Sequence, residues 1–171
     1  MEMVLTVIAK DRPGLVEALA KVISGHGGNW VDSAMSRLGG EFAGIVKISL
    51  PEDQVESLKY DLAALANQGI RVTYETDTIC PIPKGIRARL EVMGQDHKGI
   101  VRDVSRILAD KDVNVESLNT NVFTGSMSGE AMFSAKADIV LPDALGLDEL
   151  CEALEDIAGD LMVEVELKKM K

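Results

Sequence analysis

The sequence predicts an α+β protein of two tandem βαββαβ domains, each a four-stranded antiparallel sheet with two helices on one face. Three observations predict it. An ordered set of residues recurs at a nearly constant offset, each copy runs through the same order of strand-like and helix-like periodicities, and a proline-bearing stretch separates the copies. Setting Asp11 on Asp96, 85 residues further on, brings Gly14 onto Gly99, Leu15 onto Ile100, Val16 onto Val101, Leu19 onto Val104 and Asn29 onto Asn114. After an insertion of four residues Gly40-Glu41 meets Gly129-Glu130 and Lys47 meets Lys136; after two more, Leu50-Pro51 meets Leu141-Pro142.

In the first copy, Val4 to Ile8 is a β-branched run and predicts a strand. Leu15, Leu19 and Val22 recur at helical spacing, with Val16 and Ile23 widening the stripe. Pro13 suits a first helical turn, which puts the helix start at about Pro13. Gly25, Gly27 and Gly28 end it, because glycine accepts the left-handed conformation common there. Asn29 to Leu38 is a second strand, Gly39-Gly40 a hairpin turn, and the alternation from Phe42 to Leu50 a third strand with one buried face. Val55 to Leu65 repeats the helical stripe, and Ile70, Val72 and Tyr74 alternate as the fourth strand. The second copy follows with strands at Arg89–Met93, Val113–Val122, Glu130–Leu141 and Leu161–Leu167, and helices at Gly99–Leu108 and Leu147–Ile157. Burying two helical stripes on one face of such a sheet is the ferredoxin-like solution. Pro81, Pro83 and Gly85 mark the connection, since proline cannot donate to a sheet ladder. The expected division is residues 1–78, a linker over 79–86, and residues 87–171.

Of the 171 residues, 46% are apolar but only 4% aromatic, so the core is aliphatic. The net charge of −10 repels phosphate backbones and anionic membranes, which argues against direct nucleic-acid binding. No apolar run approaches the ~20 residues of a membrane span. Met1 to Ala9 carries Glu2 and runs into charged residues, so it reads as a strand and not a secretory leader. Cys80 and Cys151 share no metal or redox spacing, which predicts free thiols in a reducing, cytoplasmic setting, without metal or cofactor.

The strand–helix turn carries Asp11-Arg12-Pro13-Gly14 in one copy and Asp96-His97-Lys98-Gly99 in the other. Neither has the CxxC of a metal chaperone. The central strands hold too few aromatics for base stacking. An acylphosphatase-like cradle would use Arg12 and Asn29, but His97 replaces the arginine in the second copy. His26 and His97 have no neighbouring nucleophile in sequence. Gly25-His26-Gly27-Gly28 lacks the third glycine of a dinucleotide loop and follows a helix. A binding role is left. The first helical amides, those of Gly14, Leu15 and Val16, lack intrahelical acceptors and suit an anion such as a carboxylate. Gly14 removes a side chain from the approach, and Asn29 supplies a donor and an acceptor. The same residues also read structurally, with Asp11 as a helix cap and Pro13-Gly14 as turn formers.

Ala9 to Val16, then Gly28 to Ser33, then Leu38 to Phe42 resemble the ACT domain, a regulatory amino-acid-binding module. Two such copies resemble the group of glycine cleavage system transcriptional repressors. The resemblance implies a sensor without catalysis that answers to a small, glycine-like amino acid. It also implies a homo-oligomer that acts through a DNA-binding partner. Ligands of such domains sit where two domains meet, so Gly14, Leu15 and Asn29 are expected in one half-site. Asp11 and Arg12 would lie at its rim, with Pro13 in the same ligand loop and Asp32 and Ser33 nearby. Asp96, His97, Gly99, Ile100 and Asn114 form the weaker counterpart. Tandem modules also resemble those attached to serine-pathway phosphatases, which leaves a regulatory subunit of a metabolic enzyme as the second reading and a purely structural module as the third.

Overall fold

Alternation in the first ten residues becomes strand β1 (Glu2–Lys10), with Met3, Leu5, Val7 and Ala9 buried and Glu2, Thr6 and Lys10 exposed. The computed structural model describes residues 1–76 and 81–171. After β1 come α1 (Leu15–Gly25), β2 (Asn29–Leu38), β3 (Glu41–Ser49), α2 (Val55–Ala64) flanked by short 3-10 turns, and β4 (Ile70–Glu75). The second unit repeats the order with β5 (Ile86–Gln95), α3 (Ile100–Asp110), β6 (Asn114–Thr124), β7 (Ala131–Leu141), α4 (Leu147–Leu161) and β8 (Val163–Lys169). The chain divides into two compact units, Met1–Cys80 and Pro81–Lys171. Residues 77–80 hold the expected end of the first domain at 78, the first two residues of the expected linker 79–86, and Cys80. They lie outside the described residues.

Each unit is a four-stranded antiparallel sheet, in the order β2-β3-β1-β4 and β6-β7-β5-β8. The two sequence repeats therefore fold alike, as two ferredoxin-like domains. Residues of odd number on β1 and even number on β3 face the helices, so Leu5 and Val46 pair directly and both are fully buried. Leu19 and Ile23 of α1 and Leu58 and Leu62 of α2 close the first core. In the second, Leu90, Ile139, Leu150 and Leu154 take the same places. Each such side chain contributes about 1.5–3 kcal/mol relative to exposure. Neither core buries a polar or charged side chain among the described residues.

Most element ends shift by one to three residues from expectation, and three of the shifts have a specific backbone setting. Helix α1 begins at Leu15, not Pro13, because Gly14 takes a left-handed conformation (φ 88°) as its N-cap and leaves Pro13 in the preceding turn. Strand β5 begins at Ile86, inside the expected linker, immediately after Gly85. Helix α4 runs through Leu161, which was expected to open a strand; Met162, left-handed at φ 52°, ends the helix and β8 starts at Val163.

His26 follows α1 as its C-cap, with its side chain largely covered. Its Nε2 lies 2.8 Å from Asp61 and its Nδ1 3.1 Å from Ser57 Oγ, so it joins the end of α1 to α2. The trio has a serine–histidine–aspartate order. The hydroxyl, however, lies 3.0 Å from the Gln54 carbonyl one turn back, the bond by which helix serines satisfy their own backbone. Burial pushes the Cys151 thiol up, away from the nucleophilic thiolate.

Candidate functional site

The first bond of α1 runs from the Ala18 N–H to the Gly14 carbonyl at 3.0 Å. The amides of Leu15, Val16 and Glu17 therefore have no acceptor inside the helix, and no side chain caps them. These amides, one residue beyond the expected set, carry the positive end of the helix. Asp11 does not cap the helix. Its backbone N–H donates to the Gly40 carbonyl (2.9 Å), and its carboxylate pairs with Arg37 Nε at 2.6 Å. Arg12 turns the other way and donates from Nη2 to the Gln68 carbonyl at 2.7 Å. The turn is thus held on two sides by its own charged residues, and the helix end between them stays clear.

A Cβ built on Gly14 meets no atom within 4 Å. The space belongs to two depressions. One, of about 310 Å³, is lined by Asp11, Arg12, Leu15, Val16, Glu17 and Phe42 as well as Gly14. The other, of about 600 Å³, runs from Gly14 along α1 to His26 and Asp61. Glu17, in the first turn of the helix, borders both. A helix end with open amides and a carboxylate beside it can hold a zwitterion, the amides taking its anionic group and Glu17 its ammonium. Glu17, Phe42, Arg37 and Gln68 were not found by sequence reasoning.

The remaining expected residues divide. Leu15 is buried, and only its amide serves the opening. Asn29 does not join Gly14 within the unit. It pairs with Ser49, while the turn touches Gly40 and Glu41 at the far end of β3, eight residues and about 26 Å away along the strand. Asp32 pairs with Lys47 on the sheet face opposite the helices, and its Oδ1 accepts the Ser33 N–H at 2.8 Å. Ser33 lies mid-strand on the helix side, across from buried Val46.

The second unit builds the same turn and fills it. Gly99 is again a left-handed N-cap (φ 101°), and Asp103 N–H bonds its carbonyl at 2.9 Å. Where unit one has Glu17 and Ala18, this unit has Arg102 and Asp103, paired through two bonds of 2.9 and 3.3 Å. A Cβ on Gly99 would lie 3.1 Å from the Arg102 guanidinium and 3.7 Å from an Asp103 oxygen. The arginine bond holds the Asp103 carboxyl below its ordinary range. His97 sets Nε2 2.5 Å from the Leu161 carbonyl and Nδ1 3.1 Å from that of Lys98. Ile100 is buried, Asp96 anchors its N–H to the Ala131 carbonyl, and Asn114 opens β6 opposite Val140.

Residues 2–83 match an ACT-domain model, and residues 83–164 match a second. The chain belongs to the ACT-domain family. Among solved structures, this ACT-domain chain is similar to an uncharacterised protein from Galdieria sulphuraria, at 26% identity and a TM-score of 0.84 over 99% of this chain and 98% of that one. It shares its fold with a candidate glycine cleavage system transcriptional repressor, at 20% identity and a TM-score of 0.74 over 99% and 97% of the two chains. No curated protein matches it. ACT domains are regulatory modules, and Arg12 and His97 have a shared place in this pair. Gln68 and Leu161 are the equivalent residues, each followed by a left-handed residue and then by β4 or β8. Both side chains therefore latch the first strand–helix turn of their ACT domain to the end of its second helix.

Proposed function

We propose that this ACT-domain protein senses a small, glycine-like amino acid at the α1 end of its first unit and regulates amino-acid metabolism genes through a DNA-binding protein partner. The observation that carries the reading is the clear space over Gly14, with three unpaired amides behind it and Glu17 at its side. Carboxylate and ammonium then each meet an opposite charge, and a small ligand side chain suits a site whose floor is backbone. Asn29 can complete such a site only from a second copy of the chain, because within its own unit it lies at the other end of β3. A net charge of −10 supports action through a protein rather than on DNA itself.

Thermal melting against the common amino acids tests the reading. A ligand at about 100 times its dissociation constant adds about 2.7 kcal/mol to the folded state, a visible rise in melting temperature. Glycine, alanine and serine are expected to give the rise, and Gly14→Val to remove it, since its side chain fills the approach. No rise with any amino acid ends the sensor reading. Pull-down with partner identification then separates a transcription factor from a metabolic enzyme, for which this chain would serve as regulatory subunit.

A further inference from the structure

The two sheets differ sharply on the face turned away from their helices. In unit one the centre of that face carries Val4, Thr6 and Ile8 on β1 and Ala43 and Ile45 on β3, with Ile45 52% exposed. Not one of these side chains is charged. The equivalent positions of unit two, read from the matching registers, are Arg89, Glu91 and Met93 on β5 and Ser134 and Lys136 on β7. One fold, repeated in one chain, thus meets water with charges in one copy and presents an uncharged sheet centre in the other. Such a patch marks an interface.

The charges at its ends say what fits there. Glu2, Asp32 and Glu75 crowd one end around Lys47; Lys10 and Arg71 stand at the other with Glu41. The row Thr73–Thr6–Ile45–Ala34 crosses the middle, one residue from each strand. Rotating a second copy about this row lays Ile45 on Ile45, Ile8 on Val4, Arg71 on Glu75 and Lys10 on Glu2. Rotating about the strand direction instead sets Asp32 against Glu75. The first rotation brings only opposite charges together, whereas the second, although it sets Lys10 against Glu41, opposes the like charges of Asp32 and Glu75. The geometry points to a face-to-face homodimer, two first-unit sheets stacked end over end about the Thr6–Ile45 row. Sheets packed this way lie about 10 Å apart with strands within about 30°, so uncharged residues of this size fill the layer. This interface is independent of the sensing proposal.

Sedimentation velocity of the full chain, from low to high micromolar concentration, tests it. Wild type is expected to dimerise. Thr6→Glu with Ile45→Lys, the residue types unit two carries, is expected to stay folded by circular dichroism and to be monomeric. Arg71→Glu is expected to weaken association about tenfold, and adding Glu75→Arg to restore it. A monomeric wild type overturns the proposal and leaves the face to a partner of different sequence. Undiminished association of the Thr6→Glu, Ile45→Lys protein overturns it in favour of another surface. Failure of the charge swap to rescue overturns the end-over-end arrangement.

Discussion

His97 offers both ring nitrogens to carbonyl oxygens, and a neutral imidazole has only one N–H to give. The charged ring satisfies both. The Leu161 carbonyl, then the Lys98 carbonyl, raises its pKa above the ordinary 6.5, with Asp96 and Asp103 adding to the effect. A folded-state pKa above the unfolded value means stabilisation that is complete below the unfolded pKa and lost as pH climbs through the folded one. Unit two is therefore expected to lose resistance to urea from about pH 6.5 upward, and His97→Gln to flatten that slope. Urea midpoints of wild type and variant across this range measure it. Equal slopes would remove the latch as a titrating element. Arg12 makes the equivalent bond in unit one, from Nη2 to the Gln68 carbonyl.

At the scale of elements, the repeat lets one copy serve as control for the other. Trp30, the second residue of β2, packs on the first core; Val115, its counterpart on β6, remains 41% exposed. Between α3 and β6 a pocket of about 50 Å³ is left, with Val115, Leu118, Leu108 and Phe133 among its walls. Voids lower stability in proportion to their volume, so Val115→Ile is expected to raise the stability of unit two by about 0.5–1 kcal/mol, and Leu108→Ala to lower it by about 2–5 kcal/mol. Urea unfolding at pH 6 measures both, and a fall with the isoleucine would mean that the pocket walls are rigid against filling. Strands and helices were legible because their buried rows repeat at periods of two and 3.6, as Met3-Leu5-Val7 and Leu15-Leu19-Val22 do. What was not legible depends on groups without sequence identity. The latches of Arg12 and His97 end on backbone carbonyls, and the bulges at Trp30/Asp32 and Val115/Ser117 arise from pairing. The helix start was displaced because Pro13 favours a first turn while Gly14, free to take positive φ, claims the cap. The clasp of His26 joins residues more than thirty positions apart.

The whole molecule carries one turn design in two forms, one open and one occupied by its own side chains. Unit one leaves its helix end clear; unit two lays Arg102 and Asp103 across the same place. An amino acid approaching the second turn would have to displace that pair, because both side chains stand beside Gly99 where unit one is open. One ligand per chain is the expected stoichiometry by titration calorimetry, with the amino acid that gives the largest melting shift. The residues responsible are named by the repeat itself, since Glu17 and Ala18 occupy the places of Arg102 and Asp103. Arg102→Glu with Asp103→Ala therefore rebuilds the first turn within the second unit, and binding is expected to rise to two per chain. Gly14→Val in that background should return it to one. Two equivalents in the wild type would mean that the Arg102–Asp103 pair yields to ligand. One equivalent in the double variant would move the distinction between the units from these two side chains to the His97 loop that precedes them.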